Sequence, residues 1–259
     1  MKLEILDQLP EAGEKGHSFL FVHGAYHGAW CWKENFLPYF SSKGFSAYAL
    51  SLRGHGNSEG REHLHSFSLD DYVKDVLDAI ALLKEKPILV GHSMGGAIVQ
   101  KIAHLHPEKI KAAVLMASAP PNGTFKNILQ LSLKNFKDVY RLSLFNKGIT
   151  PDFPVRLLFS EELPSMTRDK LLTLLQPESA KVESELSKRF IPKSVSPEIP
   201  LLVMGSNKDK FFSEKTIRKI GKVYGTKPVI LSHMGHDMML DSRWKSAADQ
   251  IITFVNESL

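Results

Sequence analysis

The sequence lacks three features that assign many proteins to a class: paired cysteines, a long apolar run and a cluster of basic residues. Its single cysteine, Cys31, excludes a disulfide within the chain and suits a reducing compartment. No window approaches the roughly 18 consecutive apolar residues of a membrane-spanning helix. The start, MKLEILDQLP, lacks the apolar core and cleavage site of a secretory signal. We therefore expect a cytoplasmic protein without a transmembrane segment.

The charge balance is modest. The formal net charge is +5, and charged residues make up 24% of the 259 residues. Without clustered lysine and arginine, this balance predicts neither nucleic-acid binding nor a polybasic membrane anchor. The hydrophobic content of 43% is ordinary for a globular protein. A chain of this length can build one large core with an insertion, or two modest domains.

Apolar runs of strand length alternate with helical patterns along most of the chain. Because these runs are apolar throughout, they indicate a mostly parallel sheet covered by helices on both faces. The predicted strands are 2–6, 19–24, 45–52, 88–91, 112–118, 200–206 and 228–232. The predicted helices are 33–44, 68–85, 94–106, 213–225 and 243–256. The sequence therefore predicts an α/β fold.

Residues 121–197 interrupt this alternation between the turn-rich stretches PPNG and PKSVSPEIP. Helical patterns occur at 168–175 and 178–189, and one further helix is predicted from four apolar residues on one side: Leu129, Leu133, Phe136 and Tyr140. The segment holds 12 Lys/Arg against 8 Asp/Glu, which indicates a solvated basic face or, alternatively, attraction of acidic substrates or anionic lipid. We predict a core of residues 1–120 and 198–259 with a helical cap of residues 121–197.

A serine between glycines follows the strand at 88–91. Gly91-His92-Ser93-Met94-Gly95 matches G-x-S-x-G, with a strand before it and a helix after it. A tight strand-to-helix turn strains the central residue and exposes its hydroxyl at the carboxyl edge of the sheet. Glycines on either side leave room for that turn. This position predicts that Ser93 is a nucleophile.

A serine nucleophile needs a base, and the base needs an orienting acid. Asp209 follows the strand at 200–206, and His236 follows the strand at 228–232. The order Ser, Asp, His is the one expected for this arrangement. His233 lies too close to its strand to reach across, and Asp237 is expected to point away from the neighbouring imidazole. We predict a catalytic triad of Ser93, Asp209 and His236.

Two backbone amides are expected to bind the developing oxyanion. One belongs to Met94, directly after the nucleophile, and the other to Ala25 in the loop that follows the strand at 19–24. We predict that four more residues near these loops contribute to the substrate pocket: Gly24, Tyr26, His27 and Met238.

Other suggestive motifs are assigned structural roles. Arg53 and His55 are expected to brace a loop beside the pocket. The pairs in HLH at 63–65 and 104–106 have no cysteine or carboxylate at ligand spacing, so no metal site is predicted. The glycines around RGHG do not fit a dinucleotide fingerprint, because no helix opens there. No cofactor is implied.

Several motifs together resemble the α/β-hydrolase superfamily: HGAYHGAW, LRGHGNSEG, VGHSMGGAI and MGHDMML, with the loop that holds Asp209. HGAYHGAWCW is similar to plant methylesterases and hydroxynitrile lyases. LRGHGNSEG resembles monoacylglycerol lipases and lysophospholipase-like esterases, so neither subfamily carries over whole. The serine nucleophile differs from the aspartate of haloalkane dehalogenases and epoxide hydrolases. The resemblance implies the α/β-hydrolase fold with an inserted cap.

These residues together predict a serine hydrolase that cleaves a small to medium, largely apolar carboxylic ester through an acyl-enzyme. Three alternatives stay open: a leaving group other than an alcohol, as in amide, thioester or C–C bond hydrolysis; cyanohydrin cleavage, as in hydroxynitrile lyases; and a ligand receptor with an idle triad. The expected partner is the small-molecule substrate alone, and the chain is expected to be a monomer or a homodimer.

Overall fold

The computed structural model describes residues 1–11, 16–161, 164–192 and 198–259. In these ranges the strands are β1 (Glu4–Gln8), β2 (Ser18–Val22), β3 (Ser46–Ser51), β4 (Ile88–His92), β5 (Ala112–Met116), β6 (Leu201–Ser206) and β7 (Val229–Leu231). They form one sheet in the order β1-β3-β2-β4-β5-β6-β7. β1 is antiparallel to β3, and the other neighbouring pairs are parallel.

The central strands are buried on both sides. Every residue of β2, β4, β5 and β6 is buried, which explains why their sequences are apolar without alternation. Successive side chains still point to opposite faces, so Leu20 and Val22 join one core cluster while Phe19 and Phe21 join the other. The prediction of an α/β fold with a mostly parallel sheet is confirmed.

Helices cover both faces of this sheet. The helices are α1 (Trp30–Lys33), α2 (Phe36–Ser42), α3 (Leu69–Ala81), α4 (Met94–Leu105), α5 (Phe125–Lys134), α6 (Phe136–Asn146), α7 (Ser165–Leu174), α8 (Ala180–Leu186), α9 (Glu214–Val223) and α10 (Trp244–Ser258). Buried residues of α3, α4 and α9 pack on one face, and those of α1, α2 and α10 pack on the other. None of the helices in the described ranges is long and apolar enough to cross a membrane.

Local signals account for several helix ends. Ser68 begins α3 with a reciprocal capping box, since its side chain accepts from the Asp71 amide while the Asp71 carboxylate accepts from the Ser68 amide. The helix predicted at 33–44 is the shorter α2, which a separate short helix, α1, precedes, and the chain leaves α2 at Gly44 with φ of +88°. α3 ends at Ala81, four residues before its predicted end.

The segment between β5 and β6 carries α5 to α8. The prediction of one helix through Leu129 and Tyr140 is wrong, because Asn135 leaves the helical conformation (φ −136°, ψ +46°) and separates α5 from α6. All four apolar residues of that prediction are exposed, and the buried apolar side chains of these helices are others: Leu131, Leu142 and Phe145. The turn predicted at the end of this segment lies largely outside the described residues. The division into core and cap stays a prediction.

Candidate active site

Ser93 occupies the turn between β4 and α4. Its backbone has φ of +52° and ψ of −113°, a costly conformation for a residue with a side chain. The turn is held at both ends: the Ser93 amide donates to the Met116 carbonyl at 3.1 Å, and the Gly96 amide donates to the Ser93 carbonyl at 3.0 Å. The strand, strained serine and helix therefore follow each other as the motif predicts.

The flanking glycines are required by close packing. A Cβ atom at Gly91 would lie 2.3 Å from the Gly95 carbonyl oxygen, and one at Gly95 would lie 2.4 Å from the Val22 carbonyl oxygen. Both distances are far below contact distance, and the obstructing atoms belong to the backbone. The start of α4 therefore sits directly against the end of β2, which no larger residue would permit.

Ser93, His236 and Asp209 form a continuous chain of hydrogen bonds. Ser93 Oγ lies 2.9 Å from His236 Nε2, and His236 Nδ1 lies 2.8 Å from Asp209 Oδ2. His236 and Asp209 are buried. Because Asp209 can only accept, His236 Nδ1 carries the proton, and Nε2 is left to accept from the serine hydroxyl. The structure thus brings together the three residues that the sequence singles out from separate strands.

The aspartate is itself held in place by its own loop. Its other oxygen, Oδ1, accepts from the backbone amides of Phe211 at 2.7 Å and Phe212 at 2.9 Å. The rings of the same two phenylalanines pack against the His236 ring, with centroids 4.7 and 5.5 Å away. A short loop after β6 therefore both orients the carboxylate and encloses the imidazole.

The Ala25 and Met94 amides border the same cavity as Ser93. Within the described part of the chain, neither N–H group takes part in a hydrogen bond, so both are free to donate. The loop before Ala25 is fixed by His23, which accepts from the Leu52 amide at 3.1 Å and donates to the Gly24 carbonyl at 2.8 Å. Complete burial holds the pKa of His23 well below its usual value, so the imidazole stays neutral.

The cavity above Ser93 has a volume of about 630 Å³ and a largely apolar lining. It is bounded below by the sheet loops and above by residues of α5, α6 and α8. Tyr26 and His27 line it as predicted, but Gly24 and Met238 do not. Met238 is instead fully buried in the core cluster that contains residues of α10.

Comparison with known proteins shows the family. The family model described as alpha/beta hydrolase fold matches residues 18–242. The chain belongs to this family. It is 28% identical over 216 residues to "Salicylic acid-binding protein 2" of Nicotiana tabacum, covering 82% of this chain and 78% of that protein. It is 29% identical over 224 residues to "Probable esterase PIR7A" of Oryza sativa subsp. indica, covering 85% and 79%. The esterase of Exiguobacterium antarcticum has the same fold, with a TM-score of 0.73 at 18% identity over 98% and 95% of the two chains.

This α/β hydrolase has a second histidine–aspartate pair beside the first. His27 Nε2 lies 2.9 Å from Asp237 Oδ2, and His27 Nδ1 lies 2.7 Å from the Ala25 carbonyl oxygen. Burial lowers the pKa of His27, but the Asp237 carboxylate outweighs that effect and the pKa is raised. Burial likewise raises the pKa of Asp237, and the His27 charge overcomes it and lowers that pKa. The pair links the loop of Ala25 to the loop of His236.

One group of side chains in this α/β hydrolase has the spacing of metal ligands. Donor atoms of His92, His236 and Asp237 lie within 4.8 Å of one another. Among the buried polar atoms, His92 Nδ1 and Asp237 Oδ1 have no hydrogen-bond partner in the described ranges. Both nitrogens of His236 are already engaged by Ser93 and Asp209. An ion held here would therefore have to replace one of those two hydrogen bonds.

The loop of Arg53 and His55, predicted to brace the pocket, is held by contacts with two acidic side chains. Arg53 makes a bidentate ion pair with Asp75 of α3, with a shortest distance of 2.7 Å. His55 Nε2 lies 3.1 Å from Glu178 Oε2, and both side chains are fully buried. Sequence reasoning missed the partners Asp75 and Glu178, because an acid in a helix or loop looks solvated until its contacts are known.

Proposed function

We propose that this α/β hydrolase is a serine hydrolase that cleaves a carboxylic ester through an acyl-enzyme intermediate. The observation that carries the proposal is the hydrogen-bond chain from Ser93 Oγ through His236 to Asp209, which opens into the cavity. The similarity to a rice protein named as an esterase supports the choice of an ester among acyl substrates.

In the proposed first step, Ser93 Oγ attacks the acyl carbonyl carbon while His236 Nε2 accepts the hydroxyl proton. Asp209 holds the imidazole in the tautomer whose Nε2 can accept, and its negative charge stabilises the imidazolium that forms. His236 then gives the proton to the departing alcohol oxygen. Water repeats the same sequence on the acyl-enzyme, which releases the acid and restores Ser93.

The Ala25 and Met94 amides are the proposed donors to the oxyanion. Each is unpaired within the described chain and borders the cavity, and Met94 lies at the N-terminus of α4, where the helix dipole favours negative charge. Losing one donor of this type typically raises the barrier by about 3–4 kcal/mol. The position of the Ala25 amide depends on the close approach of Gly24 to Ser93. A Cβ atom added at Gly24 would lie 3.0 Å from the serine Cβ.

The cavity supports a small to medium, largely apolar substrate. Its volume of about 630 Å³ falls within the usual range for small-molecule sites. Much of its lining is hydrocarbon from both the sheet loops and the inserted segment, including Leu142, Leu158 and Leu186. Burying such a substrate is favourable in proportion to the apolar area removed from water.

Labelling with a fluorophosphonate tests whether Ser93 is an active nucleophile. We expect the wild type to label and Ser93→Ala to lose labelling, with ester turnover reduced on the order of 10⁶-fold. Ser132→Ala is the matched control, because Ser132 does not line the cavity and its hydroxyl donates to the Ile128 carbonyl within α5. A wild type that does not label, or a Ser93→Ala variant that still turns over esters, would contradict the proposal.

A ligand-binding function is the second candidate, because the tobacco relative is named for binding salicylic acid. A panel of p-nitrophenyl esters from acetate to palmitate separates the two functions. The hydrolase proposal expects a rate maximum at one chain length, set by the cavity. Binding of salicylate without turnover of any ester in the panel would favour the receptor. Cyanide release from mandelonitrile without ester turnover would favour a lyase.

A further inference from the structure

One acidic side chain interrupts the apolar lining of the cavity. Among the described residues that line it, Glu183 of α8 is the one carboxylate. The proposed ester chemistry does not use it, since the acid of the triad is Asp209. A charged group facing an apolar cavity costs free energy unless it is paired, so its presence there calls for a partner.

The carboxylate is held firmly by two neutral donors. Tyr26 donates its hydroxyl to Glu183 Oε1 at 2.6 Å, and Asn146 donates its side-chain amide to Oε2 at 2.9 Å. Asn146 is fixed in turn, because its Oδ1 accepts from the Glu178 amide at 2.6 Å. An ionised carboxylate offers about four acceptor positions, so each oxygen retains capacity for another donor.

Glu183 is connected through Tyr26 to the loop that carries Ala25. Tyr26 directly follows Ala25, so a single tyrosine side chain separates the carboxylate from the loop that carries an oxyanion amide. The Tyr26 ring packs edge-on against Phe153 and Phe145, with centroids 5.3 and 6.3 Å away. The tyrosine is therefore fixed, and the position of the carboxylate relative to Ser93 is fixed with it.

The charged and titratable groups around Glu183 leave it available as an acceptor. Burial raises its pKa to about 6, and the neighbouring Glu178 carboxylate acts in the same direction. Tyr26 stays protonated, because burial raises the pKa of its hydroxyl well above the ordinary value. Lys147 and His65 also border the cavity, but neither is hydrogen-bonded to Glu183. Near neutral pH the carboxylate is therefore mostly ionised and retains acceptor positions.

We propose that Glu183 is a specificity-determining residue that binds a hydrogen-bond donor, a hydroxyl or an ammonium group, on the part of the substrate remote from the ester bond. The inference rests on the proposed ester hydrolysis, and it adds one polar requirement to an otherwise apolar substrate. An unsubstituted chain would fill the same space but leave the carboxylate without its third donor.

The test compares p-nitrophenyl esters of unsubstituted, ω-hydroxy and ω-amino acids with six and eight carbons. The measured quantity is the ratio of kcat/KM for the substituted ester to that for its unsubstituted counterpart, in which effects common to both esters cancel. A hydrogen bond to a charged group corresponds to roughly 10- to 100-fold in such a ratio. We expect the ratio to fall by at least about tenfold in Glu183→Leu at the chain length that reaches the carboxylate.

Two further variants keep the test decisive. Glu183→Gln preserves the shape if Glu183→Leu does not fold, and it should abolish the preference for the ammonium while retaining part of that for the hydroxyl. Glu185→Gln is the matched control, because Glu185 lies on the same helix, accepts from the Leu69 amide at 2.7 Å and does not line the cavity. In the wild type, the ammonium preference should decline below about pH 6 as Glu183 is protonated.

A binding experiment separates this inference from the proposed function. Calorimetry with hexan-1-ol, hexane-1,6-diol and 6-aminohexan-1-ol needs no turnover, and the diol and amino alcohol should lose affinity selectively in Glu183→Leu. Ratios and affinities that change less than twofold in folded Glu183 variants would overturn the inference, whether or not esters are hydrolysed. Selective binding by a protein that hydrolyses no ester would support the site and contradict the hydrolase proposal.

Discussion

The two sides of the cavity differ in how tightly their residues are constrained. The floor, defined as Ala25, Ser93, Met94 and His236, consists of groups that each follow the end of a strand of the parallel part of the sheet. The roof, defined as the cavity-lining residues between 124 and 187, is formed by helices of the inserted segment. On the floor, backbone atoms approach within distances that only glycine permits. On the roof, apolar side chains meet a single carboxylate, Glu183.

This difference suggests separate roles: the floor for the reaction and the roof for the choice of substrate. Bond making requires reacting atoms held within a fraction of an ångström, and parallel strand ends that share one sheet provide that rigidity. A roof of side chains can change in volume and polarity without moving the sheet. We therefore expect floor substitutions to change turnover or folding, and roof substitutions to change which substrate is preferred.

The largest expected effect in this comparison distinguishes the two aspartates beside His236 of the floor: Asp209, its hydrogen-bond partner, and Asp237, the next residue in the chain. Asp209→Asn should lower kcat by about 10⁴-fold, because an amide at this position no longer fixes the tautomer of His236. Asp237→Asn should lower stability, since it removes the charge that pairs with buried His27, but should lower kcat less than tenfold. Kinetics and thermal unfolding of both variants measure the contrast. Equal losses of kcat would show that the assignment of the acid is wrong.

The next effect tests the rigidity of the floor. In Gly95→Ala, the added Cβ would lie 2.4 Å from the Val22 carbonyl oxygen, so either α4 or β2 must move. We expect the free energy of unfolding to fall by about 3 kcal/mol, together with a loss of turnover. Gly225→Ala serves as the control, because its Cβ would meet nothing within 4 Å and only its φ of +65° opposes the change. Chemical denaturation should show a cost of about 1 kcal/mol for this control.

The smallest effect concerns the carboxylate of the roof. Burial raises the pKa of Glu183 from 4.5 to about 6, so the folded state binds its proton more tightly than the unfolded chain. The resulting stabilisation is present below the unfolded pKa and is lost as pH rises through the folded pKa, a change of about 2 kcal/mol. Relative to Glu183→Gln, the wild type should therefore lose about this much stability between about pH 4 and about pH 7.5.

Denaturation midpoints of wild type, Glu183→Gln and Glu185→Gln at several pH values measure this difference. The Glu185 control reports any general effect of replacing a carboxylate on α8. If wild type and Glu183→Gln keep a constant difference in stability across this range, Glu183 is not the partly desolvated carboxylate described here.

Local patterns predicted much of the fold. The apolar runs identify the strands, because strands buried on both faces are apolar at every position and do not alternate with polar residues. Ser68 predicts the start of α3, because a cap involves only residues within one helical turn. The helix boundaries of the inserted segment could not be predicted from local patterns. Its apolar residues at 129 and 140 keep helical spacing across Asn135, although the backbone breaks there, and no local signal reveals which side faces the core.

By itself, the sequence determined the order of the strands along the chain, the serine turn with its glycines, and the positions of Asp209 and His236 after later strands. These are short-range properties, because strand length, turn geometry and capping depend on neighbouring residues. Only the tertiary structure decided that Asp237 pairs with His27, that Met238 is buried in the core with α10, and that Glu183 lines the cavity. These outcomes depend on contacts between residues that lie far apart in the chain, and those contacts exist only after the helices have packed on the sheet.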